Sequence, residues 1–195
     1  MRCRVKVSVP FLALVCLLFV LDKNGALLYT LLAMAVHETA HIFAIKLCGG
    51  TVEEVGIRVF GMKIEVPELA LMPYKKEIII AAAGPLAGII CALLCLAAAR
   101  ILKTTVLDYF IGINVVITLI NLIPVYPLDG GRIVLSASLL MFGERTGYAI
   151  SHILAVISVA GMFSLCAVCA MHNALNPTLA IFSMYIAVCS ITCRA

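Results

Sequence analysis

Apolar residues run in long unbroken stretches along this chain, and the polar ones gather between them. The stretches fall at about Val7–Leu21, Ala26–Cys48, Ile78–Leu102, Val106–Ile123, Tyr148–Met171 and Pro177–Thr192, with a shorter one at Ile133–Phe142. Between them stand Asp22-Lys23-Asn24-Gly25, Gly49-Gly50, Pro124, Pro127, Gly130-Gly131, Gly143-Glu144-Arg145 and Asn176-Pro177, all of them turn or helix-stop chemistry. Since a helix needs about 20 apolar residues to cross a bilayer, the pattern predicts six spans and one interrupted region. Only the segment between Gly50 and Pro73 reads otherwise. Thr51–Phe60 and Met62–Val66 are rich in β-branched residues, the second alternates apolar and polar, and Gly61 separates them. That predicts a small β-hairpin at the membrane surface. The expected fold is an all-α polytopic membrane protein with about six transmembrane helices, residues 1–195 forming a single membrane-embedded domain.

Composition strengthens this picture. Of 195 residues 64% are apolar and 12% charged, with a mean hydropathy of +1.18, where a soluble domain is nearer half apolar and a quarter charged. Six spans exhaust the chain, leaving no room for an extra soluble domain. The net charge of +4 comes from loop lysines and arginines without a basic, aromatic-interleaved run, so nucleic acid is excluded as a partner. Among the nine cysteines, Cys16, Cys91, Cys95, Cys166, Cys169 and Cys189 fall inside apolar runs, where cysteine behaves as a small hydrophobe. Cys166-x-x-Cys169 lacks both a second pair and a soluble βαβ context, so packing is preferred to redox chemistry. Arg2, Arg4 and Lys6 ahead of an apolar run have the look of a signal peptide. No small-x-small cleavage site follows Leu21, so the run reads as a retained first span.

Charge also orients the spans. Six crossings put both termini on one side. That side carries Arg2, Arg4, Lys6, Lys46, Arg58, Lys63, Lys75, Lys76, Arg132, Arg145 and Arg194, against Lys23, Arg100 and Lys103 on the other. The bias of 11 to 3 assigns the termini to the cytoplasm.

Ionisable side chains inside spans are costly, and each is a functional hypothesis by default. Away from span ends these are His37, Glu38, His41, Asp129, His152 and His172. The first three form His37-Glu38-Thr39-Ala40-His41, an H-E-x-x-H pattern. With 4 histidines and 7 glutamates in the chain, about 0.003 such patterns are expected by chance. On a helix, residues i and i+4 share a face, so His37 and His41 can both turn a nitrogen to one zinc ion. Glu38 is one residue round and can reach a metal-bound water without taking a coordination position, where a metalloprotease needs its general base. A catalytic zinc wants a third protein ligand. Asp129 fits, in a segment where Pro124, Pro127, Gly130 and Gly131 break the fourth span. A broken helix at membrane depth must be buried in protein or line a watery cavity. The plainer alternative for Asp129 is an ordinary Asp-Gly turn in a cytoplasmic loop. Asn121, about a turn before the break, can bind substrate backbone or a developing oxyanion, or satisfy a carbonyl freed by Pro124. His152 and His172, with no acidic neighbour close in sequence, read as solvated or packed residues. Gly84 and Gly88 form G-x-x-x-G, which lets helices pack closely; packing within the chain is preferred to a dimer interface.

The chain resembles the site-2 proteases, a family of intramembrane zinc metalloproteases. The resemblance rests on H-E-x-x-H in the second span, Ala83-Gly84-Pro85-Leu86-Ala87-Gly88 in the third, and Asn121 followed by Pro127-Leu128-Asp129-Gly130. It covers about residues 26–133. It implies a three-span catalytic core, one zinc held by His37, His41 and Asp129, and Glu38 as base. It further implies cleavage in or near a transmembrane segment of a membrane-anchored substrate, releasing a transcription factor or an anti-sigma or pro-sigma fragment. The chain is most similar to the compact branch that includes the sporulation sigma-factor-processing protease, which implies a bacterial cytoplasmic membrane. Other branches carry a PDZ module between the core spans, and the sporulation-type enzyme is followed by a soluble CBS module. Neither has space here, so no attached module is expected to regulate it, although separate regulatory membrane proteins remain open, as does the oligomeric state. Thr39-Ala40 departs from the commoner Leu-Gly pair, but Ala40 keeps a small residue.

The expected chemistry is metal-assisted amide hydrolysis, with the broken region as the cytoplasmic opening for water. The hairpin either accepts an unwound substrate as an added strand or is merely structural. Two other classes compete. A metal or proton-coupled transporter should spread ionisable residues over several spans as a path, whereas here they concentrate at one depth. A silent scaffold need not retain Glu38.

Overall fold

The computed structural model describes residues 4–23, 25–58, 61–104, 106–172 and 177–192. In chain order it contains β1 (Arg4–Val7), α1 (Val9–Leu21), α2 (Ala26–Leu47), β2 (Glu54–Arg58), β3 (Gly61–Glu65), α3 (Tyr74–Leu102), α4 (Val106–Asn121), α5 (Asp129–Met171) and α6 (Pro177–Thr192). The six helices follow the six apolar runs. Three of them, α2, α3 and α5, are long and apolar enough to cross a membrane on length and composition. The others are shorter: α1 has 13 residues and α4 and α6 have 16 each.

The short run at Ile133–Phe142 does not stand alone. It is the first part of α5, which is 43 residues long and interrupted at Gly143, where φ 76 and ψ 176 are not helical. Only glycine adopts that backbone readily, so the polar break foreseen at Gly143 is a kink between two helical stretches. The hairpin is also larger than expected. β2 and β3 pair antiparallel with Val55 opposite Ile64, but β1 adds to β2 in parallel with Val5 opposite Val55. A three-stranded sheet results, in the order β1-β2-β3. Residues 4–7, read as the basic flank and beginning of the first span, are therefore strand, and the first helix begins at Val9. The Val59-Phe60 connection lies outside the described residues, as do Asn24 and Asn176 of the foreseen breaks.

The chain forms two compact units, Met1–Leu119 and Ile120–Ala195. In the first, α2 packs against α3. The buried residues of α3 are Ile80, Ala81, Gly84, Pro85, Gly88, Ala92 and Ala99, while Ile89, Ile90, Leu93 and Leu94 are exposed. Small residues inside and large aliphatic ones outside are the arrangement suited to lipid. Both G-x-x-x-G glycines face helices of this same chain: a Cβ at Gly84 would meet the His37 and His41 rings, and one at Gly88 would meet the Thr118 hydroxyl. The end of α2 is closed by a Schellman motif, with Gly49 N–H donating to the Lys46 carbonyl (3.1 Å) and Gly50 N–H to Ile45 (2.9 Å). Gly49 supplies the left-handed φ of 85 that this motif needs. Ala44, Ile45, Val66 and Ile80 form the core beneath the sheet. In the second unit, Val125, Ala155 and Ile186 form a separate core between the broken segment, α5 and α6.

The loop leaving α2 has its own electrostatic tie. The Thr51 hydroxyl donates to Glu68 at 2.6 Å and its backbone N–H donates at 3.2 Å, and these two bonds, the hydroxyl first, hold the Glu68 carboxyl below its ordinary 4.5. A depressed carboxyl contributes stability in full above its unfolded value and loses it as the pH falls through the folded one. Hydrogen-exchange protection of the Thr51 amide is therefore expected to decline as the pH drops below 4.5. In Glu68→Gln the protection should be weaker and independent of pH over that range; an unchanged acid-dependent decline in the variant would assign the effect to another group.

Candidate functional site

The paired histidines lie on the buried stripe of α2, with Ala33, Ala44 and Ile45. Their spacing of four puts them one turn apart on one face, and the packing of α2 on α3 buries that face. His37 is 4% exposed and His41 5%. His41 Nδ1 lies 2.7 Å from the Ile80 carbonyl oxygen. A carbonyl only accepts, so Nδ1 carries the proton, and the lone pair of the imidazole in its neutral form is then at Nε2. The Nε2 atoms of His41 and His37 are 3.1 Å apart, the rings edge-to-face with centroids 4.8 Å apart. Two nitrogens at about 2.0–2.1 Å from one tetrahedral zinc stand about 3.3 Å apart. The observed spacing fits two imidazoles sharing one metal ion.

Room for the rings is made by Gly84. A Cβ there would lie 2.6 Å from His37 Nε2 and closer still to His41 Nε2, so any larger residue occupies the place where the two nitrogens converge. Ile80, which fixes the His41 ring, is one turn earlier on the same helix. One turn of α3 thus sets both the tautomer of His41 and the space in front of it. Glu38 is half-buried beside this pair, about 100° round α2 from His37.

The second unit contains Asn121 and Asp129, on either side of the break. Asn121 is the last residue of α4 and half-buried. The chain then turns tightly, with Val125 N–H donating to Ile123 O (2.8 Å) and Leu128 N–H to Val125 O (2.9 Å); the Tyr126–Pro127 bond is cis. Asp129 opens α5 and is 7% exposed, at the helix end whose dipole favours a negative charge. Gly130 and Gly131 let the broken segment lie against this first turn. A Cβ on Gly130 would come within 2.7 Å of the Ile123 oxygen, and one on Gly131 within 2.6 Å of the Val125 oxygen. Backbone atoms cannot give way as a side-chain tip can, so the Gly130-Gly131 pair is dictated by this packing rather than by loop flexibility.

His152 and His172 are exposed. The described cysteines, including Cys166 and Cys169, are free thiols. Two buried polar residues of α4 escaped the sequence reading: Asn114, 2% exposed, whose Nδ2 donates to the Phe110 carbonyl at 2.9 Å, and Thr118, 4% exposed. Their signal is polar side chains four apart in an apolar run. The roles of the Ile80 carbonyl and Gly84 were not visible as chemistry, because neither is a ligand.

Residues 98–167 match the model of peptidase family M50; this range includes Asn121 and Asp129. The chain is 30% identical over 146 residues to stage IV sporulation protein FB of Bacillus subtilis (strain 168), an alignment covering 73% of this chain and 49% of that protein. The chain thus spans about half the length of the curated relative it matches. Its backbone is similar to that of the site-2 protease from Methanocaldococcus jannaschii, with a TM-score of 0.69 at 19% identity, covering 97% of this chain and 90% of that one.

Proposed function

We propose that this chain, which belongs to the site-2 protease family (peptidase family M50), is a zinc-dependent intramembrane endopeptidase acting on membrane-anchored proteins. The observation that carries this reading is the convergence of the two imidazole Nε2 atoms at 3.1 Å with Glu38 the next residue after His37. Asp129 is the proposed third ligand, completing a His-His-Asp set suited to zinc with one position open, and the catalytic core is about residues 26–133 of one protease domain. When bound, the metal polarises the scissile carbonyl and acidifies water. The chain supplies the rest. His41 is held in its ligand tautomer by Ile80, Glu38 takes a proton from the attacking water and returns it to the leaving amine, and Asn121 binds substrate backbone or the developing oxyanion.

Substrate presentation follows from the sheet. β2 is central, so β3 and β1 are its edges, and an unwound substrate segment can add to one of them by backbone pairing. The excess of lysine and arginine at the termini and the sheet loop supports an orientation with termini and active-site opening in the cytoplasm. Release of a transcription factor or of a sigma-factor fragment in a bacterial cytoplasmic membrane, with a role in sporulation, is the proposed biological outcome.

The test is reconstitution in liposomes with a panel of single-span membrane proteins, comparing metal-free chain with the same chain given zinc. Zinc is expected to restore a shortened fragment in the wild type and not in His37→Ala, which should bind less than a tenth as much metal, since one ligand of three is gone. Zinc bound at full stoichiometry with transmembrane zinc flux and no fragment would replace this reading with transport.

A further inference from the structure

A groove of about 510 Å³ runs between α2 and α4 in the first unit, apart from the histidines and unused by the chemistry above. Thr30 lines it from α2; Asp108 and Tyr109 line it from the start of α4, and Gly112, Ile113, Val116 and Ile117 continue it deeper. Nine residues separate Asp108 from Ile117, about 13.5 Å of helix at 1.5 Å per residue.

Gly112 is not explained by the chain's own packing. Gly84, Gly88, Gly130 and Gly131 each face an atom that a Cβ would strike, whereas a Cβ at Gly112 meets nothing within 4 Å. A helix-interior glycine weakens the helix relative to alanine, so here that cost keeps a space open rather than letting two helices touch. Gly161 is equally open but does not line this groove. What distinguishes Gly112 is that its space continues into an apolar channel with a carboxylate at one end.

We propose that this groove binds one phospholipid, its acyl chain lying over Gly112 between Ile113, Val116 and Ile117 and its primary ammonium headgroup held by Asp108. Size favours this occupant. Taking a methylene as roughly the size of a water molecule, about 30 Å³, the groove holds roughly 17 such groups, one fatty acyl chain. Charge selects the headgroup. Among the described residues Asp108 has neither an ion pair nor a hydrogen bond. Thr30 gives its proton to the Ala26 carbonyl at 2.8 Å and keeps lone pairs to accept. A primary ammonium offers three donors to Asp108, Thr30 and Tyr109; a trimethylammonium offers none. The class of ligand is therefore a phosphatidylethanolamine.

The test is native mass spectrometry of the full chain released from nanodiscs containing equal parts of phosphatidylethanolamine, phosphatidylcholine and phosphatidylglycerol with identical acyl chains. One retained lipid per chain is expected, with the ethanolamine lipid favoured over the choline lipid by about tenfold, the share of one charge-assisted hydrogen bond. Asp108→Asn should keep the lipid and lose the preference. Gly112→Leu should lose the lipid with helicity unchanged by circular dichroism, and Val116→Phe, filling the same space from the next turn, should do likewise. Equal retention of the ethanolamine and choline lipids by the wild type, or retention unaffected by Gly112→Leu and Val116→Phe, overturns the proposal. So does displacement of the lipid by an added single-span peptide whose own binding requires Gly112, which would make the occupant a helix.

Discussion

Glu38→Gln is expected to lower the cleavage rate by about 10²–10⁴-fold, the usual contribution of a positioned general base, while leaving metal content and fold as they are. Glutamine matches glutamate in size and nearly in helix propensity, so α2 loses no packing. Its amide cannot take a proton; the change also removes the negative charge and puts an NH2 donor where one acceptor oxygen stood. Because Glu38 is offset by about 100° from the His37 stripe, its replacement leaves both imidazole nitrogens and the His41 bond to Ile80 intact. The loss should fall on kcat with little change in KM, the pattern of an interaction made mainly in the transition state. Single-turnover cleavage of a reconstituted substrate, run beside a zinc assay of the same sample, reads both quantities. Undiminished cleavage in a variant with full metal would move the proton-transfer role to another residue.

The features legible in the sequence are those fixed by local chemistry. Six apolar runs gave six helices because hydrocarbon length and turn residues act within each segment; Gly49-Gly50 stopped α2 through a cap that needs only six consecutive residues. The H-E-x-x-H pair was legible for the same reason, four residues being one turn. The features that escaped depend on distant partners. Arg4-Val5-Lys6-Val7 alternates as a strand should, but its partner β2 begins at Glu54, and beside an apolar run the same residues read equally well as a basic flank. Gly143 marked a break, yet only the backbone shows that it kinks one long helix. Gly84 belonged to a packing motif whose purpose stayed hidden, because its importance lies in what it leaves empty beside two side chains on another helix.

That emptiness makes Gly84→Ala the second large effect, and its sign is not obvious from propensity alone. In an isolated helix the change is favourable by about 1 kcal/mol. Here the added methyl falls 2.6 Å from His37 Nε2 and 2.7 Å from His37 Cε1, and nearer still to His41 Nε2. The His41 ring cannot swing away without breaking its 2.7 Å bond to Ile80, and Ile80 moves with the same helix that brings the methyl. Either α3 withdraws from α2, opening the seam of small residues, or one ring rotates and its Nε2 no longer points at the shared site. Overpacking of this kind costs about 1–3 kcal/mol, so the helical gain offsets only part and a modest fall in Tm is expected. The effect on the site should be far larger. Displacing supporting groups around ligating histidines typically costs about 10–100-fold in metal affinity, and here the proposed ligand atoms themselves are struck, so at least that loss is expected, with cleavage falling in parallel. Gly88→Ala is the control, since its methyl would press the Thr118 hydroxyl one turn away and should lower Tm without changing metal affinity. Zinc titration and thermal denaturation of the two variants separate these outcomes. If Gly84→Ala bound zinc as tightly as Gly88→Ala, the close approach of α3 would be a matter of packing alone, and the site would owe its geometry to α2.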